Sequence, residues 1–183
     1  MDNYKKAVFG MGCFWCAEAV FEELEGVISV ESGYAGPANP SPSAPDYEKV
    51  SAGKTEYAEA VEITFDSEKI SYGDLLEVFW SLHDPTQLNR QGSDVGRQYR
   101  SVIFYNGNEQ RKLAEESKKK LDESGEFKNP VVTEITPFEK FYPAEGFHQD
   151  FYRRNPEAPY CQAVINPKLE KLREKFGSKL KRQ

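Results

Sequence analysis

The stretch of this chain with the plainest chemical potential is Gly12-Cys13-Phe14-Trp15-Cys16, two thiols three positions apart with two large aromatics between them. A cysteine attacks or binds metal as its thiolate; the free thiol titrates near ~8.5, and a helix N-terminus can bring it to ~3.5–7.5. Upstream, Lys6-Ala7-Val8-Phe9 reads as a short strand. Downstream, Ala17, Val20, Phe21 and Leu24 recur at the i, i+3, i+4, i+7 spacing of an apolar helix face. Cys13 is therefore expected where a strand turns into a helix, where free backbone N–H groups and the helix dipole favour an anion. That makes Cys13 the candidate nucleophile. The competing reading is a pair of small hydrophobes packed under a helix.

The third thiol, Cys161, makes the cysteine count odd, which is no disulfide framework of the secreted kind; in a reducing compartment such thiols are catalytic, redox-active or metal-binding. With two histidines, three cysteines and no second Cys-x-x-Cys pair, a tetrahedral zinc set cannot be completed, so no metal site is expected. Met11-x-Cys13-x-x-Cys16 also fits the soft-metal carriers that hold Cu(I) between thiolates, although Phe14 and Trp15 crowd that loop. A thioredoxin-type dithiol is a further alternative, but here the tryptophan lies between the cysteines and Gly-Pro is absent.

These thiols need a scaffold. At 183 residues the chain suits one domain, 1–183, with loose ends expected at 1–5 and 177–183. A net charge of −6 argues against nucleic acid or a membrane surface as the main partner. The basic run from Lys168 to Arg182 is interleaved with Glu170 and Glu174 and reads as a solvated helix face. No apolar run suits a signal segment or a membrane span, so a cytoplasmic monomer is expected.

Gly26 ends the first helix and Val27–Tyr34 forms a strand. The Pro-, Ser- and Ala-rich stretch Gly36–Pro45 must loop over the surface before Asp46-Tyr47. Tyr57–Phe65 alternates as a strand, with Ala58 and Ala60 on one face and Glu59, Val61, Ile63 and Phe65 on the other. An acid among such neighbours either reaches solvent at an edge or is a buried carboxyl with a raised pKa. Ser71-x-x-Asp74 has the form of a capping box opening a core helix. His83–Gln98 is a long loop of hydrogen-bonding side chains, feeding the strand Tyr99–Tyr105 and then a charged surface helix over Asn108–Ser124. A strand over Val131–Ile135, a short helix ending the aromatic-rich stretch 138–152, and a last helix opened by Pro167 complete the chain. The pattern fits an α+β two-layer sandwich, a mixed or antiparallel sheet with helices packed on it.

Eight blocks extend the signal beyond the cysteines. Gly12-Cys13-Phe14-Trp15, Gly33-Tyr34-Ala35-Gly36, Ala58-Glu59, His83-Asp84-Pro85-Thr86, Arg90–Gly96, Gln98-Tyr99-Arg100-Ser101, Ala144-Glu145 and His148-Gln149 closely resemble, in order, the type A peptide methionine sulfoxide reductases. The resemblance runs from about Lys6 to Phe176. It implies a ferredoxin-like core and a protein-repair enzyme without bound cofactor, acting on methionine S-sulfoxide, free or in oxidised proteins. By the same resemblance Cys13 attacks the sulfoxide sulfur, Phe14 and Trp15 wall a pocket for the S-methyl group, and a protonated Glu59 gives its proton to the sulfoxide oxygen. Tyr47 and Tyr99 match phenols that hydrogen-bond that oxygen, and Asp94 matches a supporting carboxylate.

The first product would be a sulfenic acid on Cys13, resolved by a second thiol into an intramolecular disulfide that an external dithiol, thioredoxin by resemblance, then reduces. Many relatives have glycine at the Cys16 position and resolve with a C-terminal cysteine; here Cys16, one helical turn from Cys13, is favoured over Cys161. Departures from the family pattern are Glu56-Tyr57 ahead of Ala58, Pro37 after Gly36, and Arg97. They bear on loop shape, local charge and substrate preference. His148 is read as either a support residue, paired with Glu145, or a structural histidine.

Overall fold

Period-two alternation makes the first strand: Ala7, Phe9 and Met11 point to one face of β1 (Tyr4–Met11), while Val8 and Gly10 take the other. The computed structural model describes residues 3–39 and 43–183; Met1, Asp2 and residues 40–42 of the loop expected over Gly36–Pro45 lie outside the described residues. In chain order, β1 is followed by α1 (Phe14–Glu22), β2 (Val27–Gly36), α2 (Tyr47–Ser51), β3 (Ala58–Asp66) and α3 (Tyr72–Ser81). A minimal hairpin of β4 (Arg90–Gln91) and β5 (Asp94–Val95), a 3₁₀ turn over Arg97–Tyr99, β6 (Ser101–Tyr105) and α4 (Gly107–Glu123) come next. The remainder is β7 (Glu134–Pro137), β8 (Lys140–Pro143), a 3₁₀ turn at Gly146–His148, α5 (Phe151–Arg154), a π turn at Cys161–Ile165, and α6 (Asn166–Phe176).

The architecture is α+β. Six strands form one mixed sheet in the order β7-β6-β1-β3-β2-β8, antiparallel throughout except for the parallel pair β6 and β7. Phe9, Phe21 and Phe79 meet at the centre of one face, with ring centroids 5.7 and 5.0 Å from Phe9, and there α1, α3 and α6 bury their apolar stripes against β1 and β3. Each such fully buried side chain contributes about 1.5–3 kcal/mol of burial. The other face carries small residues, Val8, Ala35, Ala58, Ala60 and Val102, covered by Phe138 and Phe141. Gly33 permits that cover, since a Cβ there would lie 2.3 Å from the Phe141 ring and 2.4 Å from the Tyr142 carbonyl oxygen. The capping box at α3 is present: Ser71 Oγ accepts from the Asp74 N–H (3.0 Å) and Asp74 Oδ2 from the Ser71 N–H (2.9 Å).

Several elements differ from the sequence expectation. The strand expected over Val131–Ile135 begins only at Glu134 and runs into Pro137, because Val131 N–H is taken by Asp122 and Val132 N–H by the Pro85 carbonyl. The short strand β8, pairing with the end of β2, and the five-residue helix α2, capped by Asp46, are additions. Near the ends of the chain, Tyr4 and Lys5 pair with Asp66 and Phe65, and Leu180 bridges Leu24.

Candidate active site

Cys13 caps α1 at the end of the β1 turn, where Gly12 holds a left-handed φ of 94°. A Cβ on Gly12 would lie 2.8 Å from Gln91, so glycine lets the β4–β5 hairpin close over the thiol loop. Across from Cys13 stands Glu59 on β3, paired with Tyr34 of β2 and 2% exposed. The alternation that made this acid anomalous does bury it, because it shares the core face with Val61 and Ile63. The first N–H of α1, that of Phe14, donates to Glu59 Oε2 at 3.1 Å. Burial, helped by the charges of Asp94 and Cys16, pushes this carboxyl up to about 8 against the opposing Phe14 hydrogen bond, so it is protonated at neutral pH.

The helix N-terminus therefore serves Glu59 rather than the sulfur beside it; Cys13 makes no side-chain capping bond. Burial, the neighbouring Cys16 sulfur and Glu59 push the Cys13 thiol up, not down as its position at the helix start predicts. Cys16 moves the other way: the neighbouring Cys13 thiol pulls it down against its burial and the Asp94 charge, aided by Lys168 and the Tyr160 hydroxyl.

Phe14 and Trp15 are fixed by different means. Phe14 is buried, tilted against Tyr34 (5.8 Å) and His148 (5.1 Å). Trp15 is half-buried, stacked flat on Phe151 with centroids 3.6 Å apart. Its Nε1–H donates to His148 Nδ1 at 3.1 Å. Because Nδ1 accepts, the neutral imidazole carries its proton on Nε2, which faces Glu145 Oε2 at 3.7 Å, beyond hydrogen-bond reach. Burial pulls the pKa of His148 down, so the neutral form persists. Gln149 pins this segment to β2, accepting from the Ser32 N–H (3.0 Å) and donating to the Ser32 carbonyl (2.8 Å). His148 is thus a support for the indole, and Glu145 anchors the Tyr34 hydroxyl, which donates to it at 3.1 Å.

Tyr47, at the first position of α2, packs its ring 4.5 Å from His148. Its phenol, like that of Tyr99 at the end of the 3₁₀ turn, is pushed up by burial and by the charges of Glu59, Asp94 and Cys13. Both stay protonated donors at neutral pH. Asp94 lies in β5 and accepts from the Tyr160 hydroxyl at 2.9 Å, while the same hydroxyl lies 3.5 Å from Cys16 Sγ. Cys13, Cys16, Asp94, Tyr160 and Lys168 line a cavity of about 130 Å³. A larger surface hollow, about 750 Å³ beside Lys6, Ser71 and Gln110, contains no thiol.

The structure therefore gathers Cys13, Phe14, Trp15, Cys16, Tyr47, Glu59, Asp94 and Tyr99 at one place. Cys161 stands apart from the cavity lining, fully buried at the start of the π turn, where burial raises its thiol. Tyr160 was not singled out from sequence; its position beside Cys161 was the available signal. Nor was Lys168, hidden in the basic run. Among the departures, Tyr57 donates to the Pro37 carbonyl, tying two of them into one loop closure, and Arg97 is exposed.

Residues 5–180 match the family model described as peptide methionine sulfoxide reductase. The peptide methionine sulfoxide reductase MsrA of Natronomonas pharaonis is 51% identical over 174 residues, 95% of this chain and 96% of that protein. Among solved structures, reduced Mxr1 of Saccharomyces cerevisiae superposes with a TM-score of 0.79 at 31% identity, covering 87% of this chain and 90% of Mxr1. Mxr1 in complex with Trx2 shares the fold at a TM-score of 0.58 and 21% identity over 81% of this chain and 85% of that one.

Proposed function

The chain belongs to the peptide methionine sulfoxide reductase family, and on that premise we propose that its thiols reduce methionine S-sulfoxide through Cys13, with Glu59 as the proton donor. The enzyme is a peptide-methionine (S)-S-oxide reductase, repairing oxidised methionine in proteins or in the free amino acid. The observation that carries the assignment of residues is the buried carboxyl of Glu59 at the N-terminus of α1, beside Cys13 and protonated at neutral pH.

The substrate's S-methyl group lies against Phe14 and Trp15, whose orientation the stack on Phe151 and the bond to His148 support. Its oxygen takes hydrogen bonds from Tyr47 and Tyr99. Cys13 passes its proton to Cys16 and attacks the sulfoxide sulfur, while Glu59 protonates the oxygen, whose loss from the substrate sulfur is otherwise blocked. The products are methionine and a Cys13 sulfenic acid. Cys16 then forms a disulfide with Cys13, an assignment supported by the one cavity that both cysteines line and by the burial of Cys161 away from it. Thioredoxin is the external dithiol that restores both thiols, in keeping with the complex of Mxr1 with Trx2.

The scaffold is read as a ferredoxin-like core, in which β1-α1-β2 and β3-α3-β6 interleave to give the strand order β6-β1-β3-β2. The same reading has the protein acting as a cytoplasmic monomer without bound cofactor; no helix among the described residues is long and apolar enough to cross a membrane. The test is one equivalent of methionine S-sulfoxide given to the reduced protein, followed by disulfide mapping. A Cys13–Cys16 bridge is expected, retained in Cys161→Ser and lost in Cys16→Ser. A Cys13–Cys161 bridge in the wild type would transfer the second role to Cys161.

A further inference from the structure

Lys168 belongs to the basic run that the sequence reads as a solvated face, yet it turns inward. Its Nζ donates to the Leu82 carbonyl at 2.7 Å, just past the end of α3, and the half-buried side chain lines the cavity shared by Cys13, Cys16, Asp94 and Tyr160. The groups that act on Cys16 across this space are Cys13, Glu59, Asp94, Tyr160 and Cys161, which bring negative charge or none, and Lys168. On Lys168 itself burial and the Lys171 charge pull the pKa down, while Cys16, Cys13 and Asp94 push it up. Tyr160 cannot carry the balance alone. It has one hydroxyl proton, and the Asp94 carboxylate at 2.9 Å competes for it with the Cys16 sulfur at 3.5 Å. An ammonium has three donors, of which Leu82 uses one.

We propose that Lys168 is the positioning residue that holds the Cys16 sulfur as an anion facing Cys13, ready for the second step of the reaction; this rests on the reading of Cys16 as the second thiol. In that step the Cys16 thiolate attacks the sulfenic sulfur of Cys13, the S–S bond forms, and the S–O bond breaks with its electron pair leaving on hydroxide. The hydroxide takes the proton that Cys16 has returned to Glu59, giving water. Cys16 is oxidised and the sulfenic sulfur reduced, so no outside reagent enters. Lys168 forms no bond in the step. Its charge offsets the anion on a sulfur that is otherwise dry and flanked by acids.

The experiment follows the ¹³Cβ resonance of Cys16 against pH in [¹³C]cysteine-labelled protein, for the wild type, Lys168→Gln, Lys168→Met and Lys168→Arg. Glutamine keeps a donor for the Leu82 carbonyl, so it separates loss of charge from an orphaned carbonyl. The titration midpoint of Cys16 is expected to rise by about one pH unit or more in Gln and Met and to stay near wild type in Arg. In single turnover at pH 7, disulfide formed per methionine released falls in the two neutral variants and recovers in Arg. A Cys16 midpoint unmoved in both Gln and Met overturns the role of Lys168. If the wild-type disulfide joins Cys13 to Cys161 instead, the reading of Cys16 fails, and that outcome is separate because disulfide mapping reads it without any Lys168 variant.

Discussion

Replacing Glu59 by glutamine should make the protein more stable and much less active, with a stability gain that depends on pH in a calculable way. A carboxyl of this kind titrates near 4.5 when exposed and at about 8 in the fold, chiefly because it is buried. The native state therefore keeps a proton that the unfolded chain gives up. Stability from this group is complete below pH 4.5 and is lost as pH rises, until the native carboxyl itself ionises near pH 8. At about 1.4 kcal/mol per unit, the loss is about 3 kcal/mol at pH 7 and about 5 kcal/mol at pH 9. Glutamine has the shape of the neutral acid and keeps an oxygen to accept the Phe14 N–H, but has no proton to lose. Urea unfolding at pH 4.5, 7 and 9 should show Glu59→Gln level with the wild type at the lowest pH and ahead by those amounts at the others. Turnover should drop ~10²–10⁴-fold with loss of the proton donor. A stability difference that is flat across pH, or a wild type more stable at pH 9, would refute the argument that Glu59 is a neutral buried acid.

Two further outcomes follow from the same physics. His83 is fully enclosed, its Nδ1–H donating to the Phe79 carbonyl (2.6 Å) and its Nε2 accepting from Ser101 Oγ (2.7 Å), which in turn accepts from Thr133 Oγ1 (2.7 Å). Burial lowers it from 6.5 to about 3, so the unfolded chain binds a proton that the native one refuses; stability should fall steadily from pH 6.5 toward pH 3, by up to about 5 kcal/mol, with proton uptake on unfolding measurable by calorimetry. Trp15→Phe keeps the stack on Phe151 but removes the donor to His148 Nδ1, leaving a buried acceptor unpaired at about 1–3 kcal/mol. Urea unfolding should show that loss, and a raised KM should show the loosened pocket wall.

The chemistry was more legible in the sequence than its surroundings. Glu59 stood out because period two places it with Val61 and Ile63, and the fold buries that face. The capping box at Ser71 was readable for the same reason: its partners are three residues apart. The state of Cys13 was not readable, because the helix-start argument counts the dipole but cannot see that Glu59, 45 positions away in the chain, takes the Phe14 N–H. Tyr160 and Lys168 reach the site from the C-terminal segment, and nothing local distinguishes Lys168 from the solvated lysines around it. The helix α2 spans five residues, too few for a helical period to show, and is set by its Asp46 cap, whose side chain accepts from the Lys49 N–H at 2.9 Å. β8 was hidden similarly. Its four residues pair only with the end of β2, where Gly33 lets Phe141 and Tyr142 approach.

The most direct measurement is multiple-turnover reduction of the two epimers of methionine sulfoxide with dithiothreitol as reductant, on the wild type and Cys13→Ser. The account predicts methionine from the S epimer alone and none from Cys13→Ser. Methionine formed at wild-type rate by Cys13→Ser would contradict the assignment of the nucleophile, and no methionine from either epimer with the wild type would contradict the activity itself.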